Sequence, residues 1–399
     1  MRNWLIGLLL VPFVFVLSCD SGNQVRVAVA GPFTGNAAAF GEMIKRGAEL
    51  KAKEINEAGG IKEINENGEI RARQLTLVFG DDVGTEKEAK AVATRFATDR
   101  RILAVVGHFN SSCSLAGKSI YKENGIVELS PGSTNVDVCQ GSDWTFRNLY
   151  RDDFQGAFIA RYIKNILTEY KTVSVLFDND DYGRGLKDAF TAEARRIELE
   201  VVSEKAYDRD TTDYTAQLTS INADNPDIIF VSGLYGQAAL IVKQARNLGI
   251  TAQFFGADGI DSPEFLKNAG AAANGTLLTT PFTFGAGGEE AAKVAEAFEA
   301  EYGVPPDTWA ALTYDAMGMI AEAIEKTYNS KATLAENRKA IRDHLAGLDT
   351  PEEGYTGITG LTYFDTNGDT VNKPAYVKIV KDGNYTTAEK QMLDIASQN

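Results

Sequence analysis

Apolar positions along this chain fall into two kinds of pattern. Apolar runs of strand length stand at residues 25–30, 75–79, 102–106 and 126–129. Between them the spacing turns helical. In residues 86–98, Ala89, Val92, Ala93 and Phe96 share one face at the i, i+3, i+4, i+7 interval, and Thr85 with Glu88 makes a capping box at the start. A second block repeats the plan, with strands at 172–177, 200–205, 227–231 and 253–255 and helices near 185–196, 214–221 and 236–248. Strands that alternate with helices in this way predict an α/β fold of parallel sheets covered on both faces. Past residue 280 the alternation stops. Segments 290–302, 308–328 and 335–345 read as helices, and 361–364 with 375–380 as a late hairpin. Two α/β blocks followed by a run of helices fit a chain that leaves a domain and returns to it.

The ends carry a different message. Residues 1–18 hold Arg2 and an apolar run from Trp4 to Leu17, closing in Val16-Leu17-Ser18-Cys19. Such a segment reads as a secretory signal, too short and wrongly flanked for a membrane span. A cysteine directly after a small residue resembles the bacterial lipobox, so Cys19 is the expected lipidation site and residues 19–24 a tether; an ordinary cleavage after Cys19 is the alternative. The expectation is a soluble body outside the cytoplasm, anchored to the membrane by lipid. Its 399 residues suggest two domains of ordinary size. A formal charge of −15 argues against nucleic acid, which needs clustered Lys and Arg.

Three cysteines occur. With Cys19 lipidated, Cys113 and Cys139 remain as an even pair in an oxidising compartment, and a disulfide between them is the expectation, two free thiols the alternative. The only histidines are His108 and His344, without metal-ligand spacing, so no metal is expected. Motifs that suggest chemistry break down on inspection. Gly117-Lys118-Ser119 lacks the earlier glycine of a P-loop, since Ser112 stands there. Tyr182-Gly183-Arg184-Gly185 lacks the third glycine of a dinucleotide fingerprint. Asp365-Thr366-Asn367-Gly368-Asp369 starts like a calcium loop, but its twelfth position is Tyr376 where a Glu belongs, so it reads as a turn. No G-x-S-x-G elbow occurs, and His108 near Ser111 shows no acidic orienter in the sequence. No catalytic residue and no cofactor is expected.

The loop from residue 107 to 112 follows a buried strand and opens a helix. The first turn of a helix offers free N–H groups and partial positive charge, which suit an anion. Two readings stay open for Ser111 from the residues alone: a helix N-cap, or a donor to a bound anion.

The order of motifs completes the picture. Gly31-Pro32-Phe33-Thr34-Gly35, Ala58-Gly59-Gly60-Ile61, Asp81-Asp82 and Gly107-His108-Phe109-Asn110-Ser111-Ser112 come first. Ser130-Pro131-Gly132-Ser133-Thr134, Asp181-Tyr182-Gly183 and Gln253-Phe254-Phe255-Gly256-Ala257-Asp258-Gly259 follow. Together they resemble the periplasmic branched-chain amino-acid-binding proteins of ABC importers, of the leucine-binding type. The resemblance implies a type I periplasmic-binding-protein clamshell with two lobes, each a parallel sheet flanked by helices, joined by three crossovers. Lobe one would take 25–150 and 284–359, lobe two 151–283 and 360–390, with a tail at 391–399. The protein would sit in the periplasm or at the outer face of the cytoplasmic membrane. It would act as a monomer, delivering a small amino acid to an ABC permease.

The same resemblance assigns residues. Ser111 and Thr134 would hold the ligand carboxylate, and Asp258, Thr134 and the Gly132 carbonyl its ammonium. Phe40, Phe109, Asn110, Ser133, Tyr182, Leu234, Tyr235 and Trp309 match side-chain pocket positions. Two departures stand out: leucine-preferring prototypes carry an aromatic residue at Leu234 and a glutamate at Asp258. Rival readings are a sensor with the same fold, a binder of a small amide or aromatic acid, and a hydrolase using Ser111.

Overall fold

The structure, a computed structural model, describes residues 23–64 and 69–392. The expected signal segment, Cys19 and most of the tether and tail lie outside the described residues.

The first block begins with β1 (Gln24–Gly31), α1 (Ala38–Glu57), β2 (Ile61–Ile64), β3 (Ile70–Asp81) and α2 (Glu86–Thr98). It continues with β4 (Ile102–Val106), α3 (Ser111–Glu123), β5 (Val127–Ser130) and β6 (Thr145–Arg147). These strands make one sheet in the order β2-β3-β1-β4-β5-β6, parallel except where β2 meets β3. Every residue of β4 is buried, which is why its sequence is apolar without alternation.

The chain then crosses to the second lobe. It runs through α4 (Asp152–Asn165), β7 (Thr172–Asp178), α5 (Asp181–Arg196), β8 (Glu200–Tyr207) and α6 (Thr215–Ala223). Next come β9 (Ile228–Ser232), α7 (Tyr235–Asn247), β10 (Gln253–Gly256), α8 (Pro263–Ala269) and β11 (Leu277–Thr280). Three helices, α9 (Gly288–Tyr302), α10 (Thr308–Thr327) and α11 (Leu334–Ala346), return to the first lobe. There α10 packs on α1, and α11 packs on β4 and β5. A small antiparallel pair, β12 (Tyr355–Gly357) and β13 (Gly360–Thr362), follows, and β14 (Tyr376–Lys381) and β15 (Asn384–Thr387) end the described fold. The second sheet has the order β15-β14-β11-β10-β9-β7-β8.

The late hairpin is a correction. Residues 361–364 do not pair with 375–380. Instead β14 pairs with β11 on one side and β15 on the other, so the free edge of the second sheet captures its backbone groups. The segment between the two stretches stays with the first lobe: the Arg147 N–H donates to the Gly368 carbonyl at 3.1 Å, and Arg147 Nε reaches Asp369 at 2.6 Å. The third crossing therefore comes after Thr370, later than residue 360. In the 365–369 turn, Asp365 Oδ1 accepts the N–H groups of Asn367 and Asp369, an Asx-type turn.

The disulfide is a second correction. Cys113 and Cys139 are both buried free thiols. Cys113 packs beside Ala89 and Ala116 between α2 and α3. Cys139 points its sulfur at the Gly368 carbonyl, 3.6 Å away. Thr85 accepts only the Glu88 N–H, half of the expected capping box, whereas Thr333 and Glu336 form a complete one.

Candidate ligand site

In the first sheet β3 and β4 flank β1, and in the second β8 and β9 flank β7, so strand order reverses at those points. Crevices outside the carboxyl ends of such strands are where open α/β sheets bind ligands. Here the two crevices face each other across a cavity of about 20 Å³. Phe109, Asn110, Ser111, Gly132 and Trp309 line it from the first lobe, and Tyr182, Leu234, Asp258 and Gly259 from the second. A cleft of about 410 Å³ beside Arg151 and Asp369 is larger, but part-exposed side chains such as Arg151 and Asp153 line it. The smaller cavity has walls from both lobes and buried polar atoms without partners.

On the first wall, Asn110 caps α3 and Ser111 is the first helical residue, which removes the N-cap reading of Ser111. The Asn110 carbonyl takes the N–H groups of Cys113 and Ser114, leaving those of Ser111 and Ser112 directed out of the helix. Ser111 Oγ accepts the Asn135 N–H at 3.2 Å, so its own proton is free to donate. Gly132 lets this wall close: a Cβ there would lie 2.2 Å from the Phe109 ring.

A polar scaffold holds the loop from beneath. His108 Nδ1 meets Asp82 at 2.6 Å and Nε2 meets the Tyr121 hydroxyl at 2.9 Å. Asp82 is an acidic orienter that the sequence did not reveal. Because Nε2 faces Tyr121, the pair is not aimed at Ser111. Ser130 donates to the His108 carbonyl at 2.6 Å, and the His108 N–H donates to Glu128 at 3.3 Å. Burial pushes the Glu128 carboxyl up to about 7.

On the second wall, Asp258 follows β10 and is buried. Its Oδ1 accepts the Tyr182 hydroxyl at 2.5 Å, and its Oδ2 has no partner. Burial pushes this carboxyl up to about 6, while hydrogen bonding from Tyr182 and Gln155 pulls the other way. Gly259 must lack a side chain, since a Cβ would meet the Gly233 carbonyl at 2.5 Å.

Four expected site residues stand outside the lining. Phe40 lies behind it, its ring 4.8 Å from those of both Phe109 and Tyr235. Tyr235 instead spans the lobes, accepting the Ala39 N–H at 3.2 Å. The Ser133 hydroxyl is spent on Ser114 and the Phe109 carbonyl, each at 2.9 Å. Thr134 is buried, and its Oγ1 has no partner.

Sequence reasoning missed Asp152 and Gln155 on α4. Both carboxylate oxygens of Asp152 are buried without a partner. Burial and the nearby Asp258 raise its pKa well above the usual carboxylate range, against a smaller opposing pull from the Thr134 hydroxyl. Gln155 ties Tyr150 to Thr279 through Nε2, at 3.0 and 2.9 Å. An acid in a first helical turn ordinarily serves the helix dipole, which is why Asp152 drew no notice. Its signal was position: it stands at the first crossover.

Direct hydrogen bonds shut the cleft. Asn135 Nδ2 donates to the Asp181 carbonyl at 2.7 Å, and Trp309 Nε1 to the Asp261 carbonyl at 3.0 Å. Thr308 of α10 reaches Asp261 Oδ2 at 3.0 Å.

Two α/β lobes closed over a cavity walled by both define a solute-binding clamshell of type I. The chain belongs to the periplasmic binding protein family, whose profile matches residues 24–384, and such proteins act outside the cytoplasm. It is 37% identical over 321 residues to an amino acid binding protein of Pseudomonas aeruginosa, a match covering 79% of this chain and 82% of that one. Its structure is similar to that of a leucine-binding protein from Thermotoga maritima, with a TM-score of 0.81, 31% identity and coverage of 93% and 99% of the two chains. It is also similar to a branched-chain amino acid transporter substrate-binding protein from Streptococcus pneumoniae in complex with isoleucine (TM-score 0.81, 29% identity, coverage 93% and 99%). No helix among the described residues is long and apolar enough to cross a membrane.

Proposed function

We propose that this protein captures a small amino acid as a zwitterion by closing its two lobes, and delivers it as a monomer to an ABC permease. One observation carries the reading: an anion-seeking helix terminus at Ser111 and a half-satisfied buried carboxylate at Asp258 face each other across one cavity. The ligand carboxylate lies against the Ser111 hydroxyl and the first-turn N–H groups, with Thr134 as a further donor. The ammonium lies against Asp258 Oδ2 and the Gly132 carbonyl. Each lobe grips one pole, so the ligand's affinity for the shut state exceeds that for the open one. A differential of ~5.5 kcal/mol carries such a clamshell from mostly open to mostly closed. A ligand without an ammonium would leave Asp258 buried and unpaired, which is costly.

Trp309, Phe109 and Leu234 give the side-chain end an apolar wall that fits a small aliphatic group. The names of the relatives support an amino acid. A lipid on Cys19 would keep the protein at the outer face of the cytoplasmic membrane, near its permease. The test is a thermal-shift screen of protein unfolded and refolded to strip ligand, against the amino acids, benzoate and acetamide. Binding to the native state raises Tm. A rise with aliphatic amino acids is expected; a rise only with compounds lacking an amine would overturn the proposal.

A further inference from the structure

Asp152 stands in the first turn of α4, where the chain passes from one lobe to the other, and is fully buried. Its N–H donates to the Thr134 carbonyl at 2.8 Å, which sets the two residues side by side. The Thr134 hydroxyl lies near enough to pull the Asp152 pKa down, yet no formed hydrogen bond joins them, and both are orphaned polar groups. The titratable and charged groups close enough to act on Asp152 are Arg147 of β6, Tyr150 just before α4, Asp258 after β10, Tyr182 of α5, and Asp153 on its own helix. Arg147 is the cation of this set; Asp369 engages its Nε at 2.6 Å and the Ser133 carbonyl its Nη1 at 3.0 Å, while its Nη2 has no partner. Two carboxylates thus share a buried space that one ligand ammonium must satisfy.

A hydroxyl has one proton to give. With Asp152 ionised, the Thr134 O–H turns toward it and is lost to the ligand carboxylate, which also meets a second negative charge. With Asp152 protonated, the acid donates to Thr134 Oγ1 and the Thr134 proton is directed at the ligand. We propose that Asp152 is a positioning residue of the ligand site, protonated in the bound, closed state and donating to Thr134 Oγ1, so that capture takes up one proton from solvent. This rests on the amino-acid reading above. Burial among like charges favours the neutral form of Asp152. Asp258 works in the opposite state, ionised against the ammonium. Affinity therefore peaks between the two titrations, falling in acid as Asp258 protonates and in alkali as free Asp152 loses its proton.

The test is calorimetry on refolded protein with L-leucine, L-threonine and L-alanine at pH 7.5, above the Asp258 value of about 6, in buffers of different ionisation enthalpy. Wild type is expected to take up as much as one proton per ligand, with Kd rising by up to ~tenfold per pH unit on the alkaline side. Asp152→Asn, whose amide always donates, keeps affinity within about threefold of the wild-type maximum, takes up no proton and loses the alkaline fall. Asp152→Ala binds at least ~tenfold more weakly than the wild-type maximum and also loses the alkaline fall. Binding without proton uptake by wild type, or an Asp152→Asn protein with the wild-type pH profile, would overturn the proposal. The wild-type measurement decides even where a variant fails to fold. Failure of all three probes to bind at any pH would instead overturn the amino-acid reading, and this proposal with it.

Discussion

The Tyr182 hydroxyl donates to Asp258 Oδ1 at 2.5 Å, and the hydroxyl oxygen in turn accepts the Gly259 N–H at 3.1 Å. One half of the carboxylate is thereby fixed and the other half is presented to the cavity. Asp258→Ala is expected to weaken amino-acid binding by at least ~tenfold, about 1.4 kcal/mol. Tyr182→Phe removes a hydrogen bond to the charged form and so raises Asp258 above its value of about 6. Binding by that variant should fall off more at pH 6.5 than at pH 8, as titration calorimetry at the two values will read.

Gly132 touches the Phe109 ring so closely that a methyl group cannot be added without moving it. Gly132→Ala should lower stability by ~1–3 kcal/mol, the range for overpacking. It should also abolish binding, because Phe109 and Gly132 both line the cavity. Thermal melts and a binding titration check the two effects separately.

Glu128 gives a stability prediction with a definite sign. Its carboxyl rises from the ordinary 4.5 to about 7 in the fold, because burial penalises the charge. A raised acid binds its proton more tightly in the native state, so its contribution is complete below pH 4.5 and is lost as pH rises through 7. A shift of 7 − 4.5 = 2.5 units corresponds to at most ~3 kcal/mol. Denaturant melts should show Glu128→Gln with a shallower loss of stability than wild type between pH 5 and 8.

The strands and their order of appearance were legible because buried parallel strands are rich in apolar residues and alternate with helices. The 102–106 strand agrees with β4 residue for residue. What failed were statements about partners in space. A hairpin was read from 361–364 and 375–380 because they are close in sequence, yet the open edge of β11 captured β14. Cys113 and Cys139 looked like a pair from their number, yet one packs beside Ala89 and Ala116 and the other against the Gly368 carbonyl. At the site, Ser111, Gly132 and Asp258 were legible through motif order and stand on one cavity. Asp152 and the Asp82–His108 pair were not, since each depends on contacts between distant segments.

Closure itself rests on few contacts. The Tyr235 hydroxyl accepts the Ala39 N–H at 3.2 Å, across the lobes. A neutral hydrogen bond contributes about 1 kcal/mol, so Tyr235→Phe should weaken binding about fivefold. Stopped-flow release should place the loss in a faster koff, because the contact joins the two lobes.

The most direct measurement compares the best-binding amino acid with its N-acetyl and carboxamide derivatives by calorimetry. If opposite poles of one ligand draw the lobes together, each derivative loses one grip and binds at least ~tenfold more weakly, the N-acetyl form because Asp258 is left buried without a cation. An N-acetyl derivative that binds as well as the parent amino acid would contradict that claim.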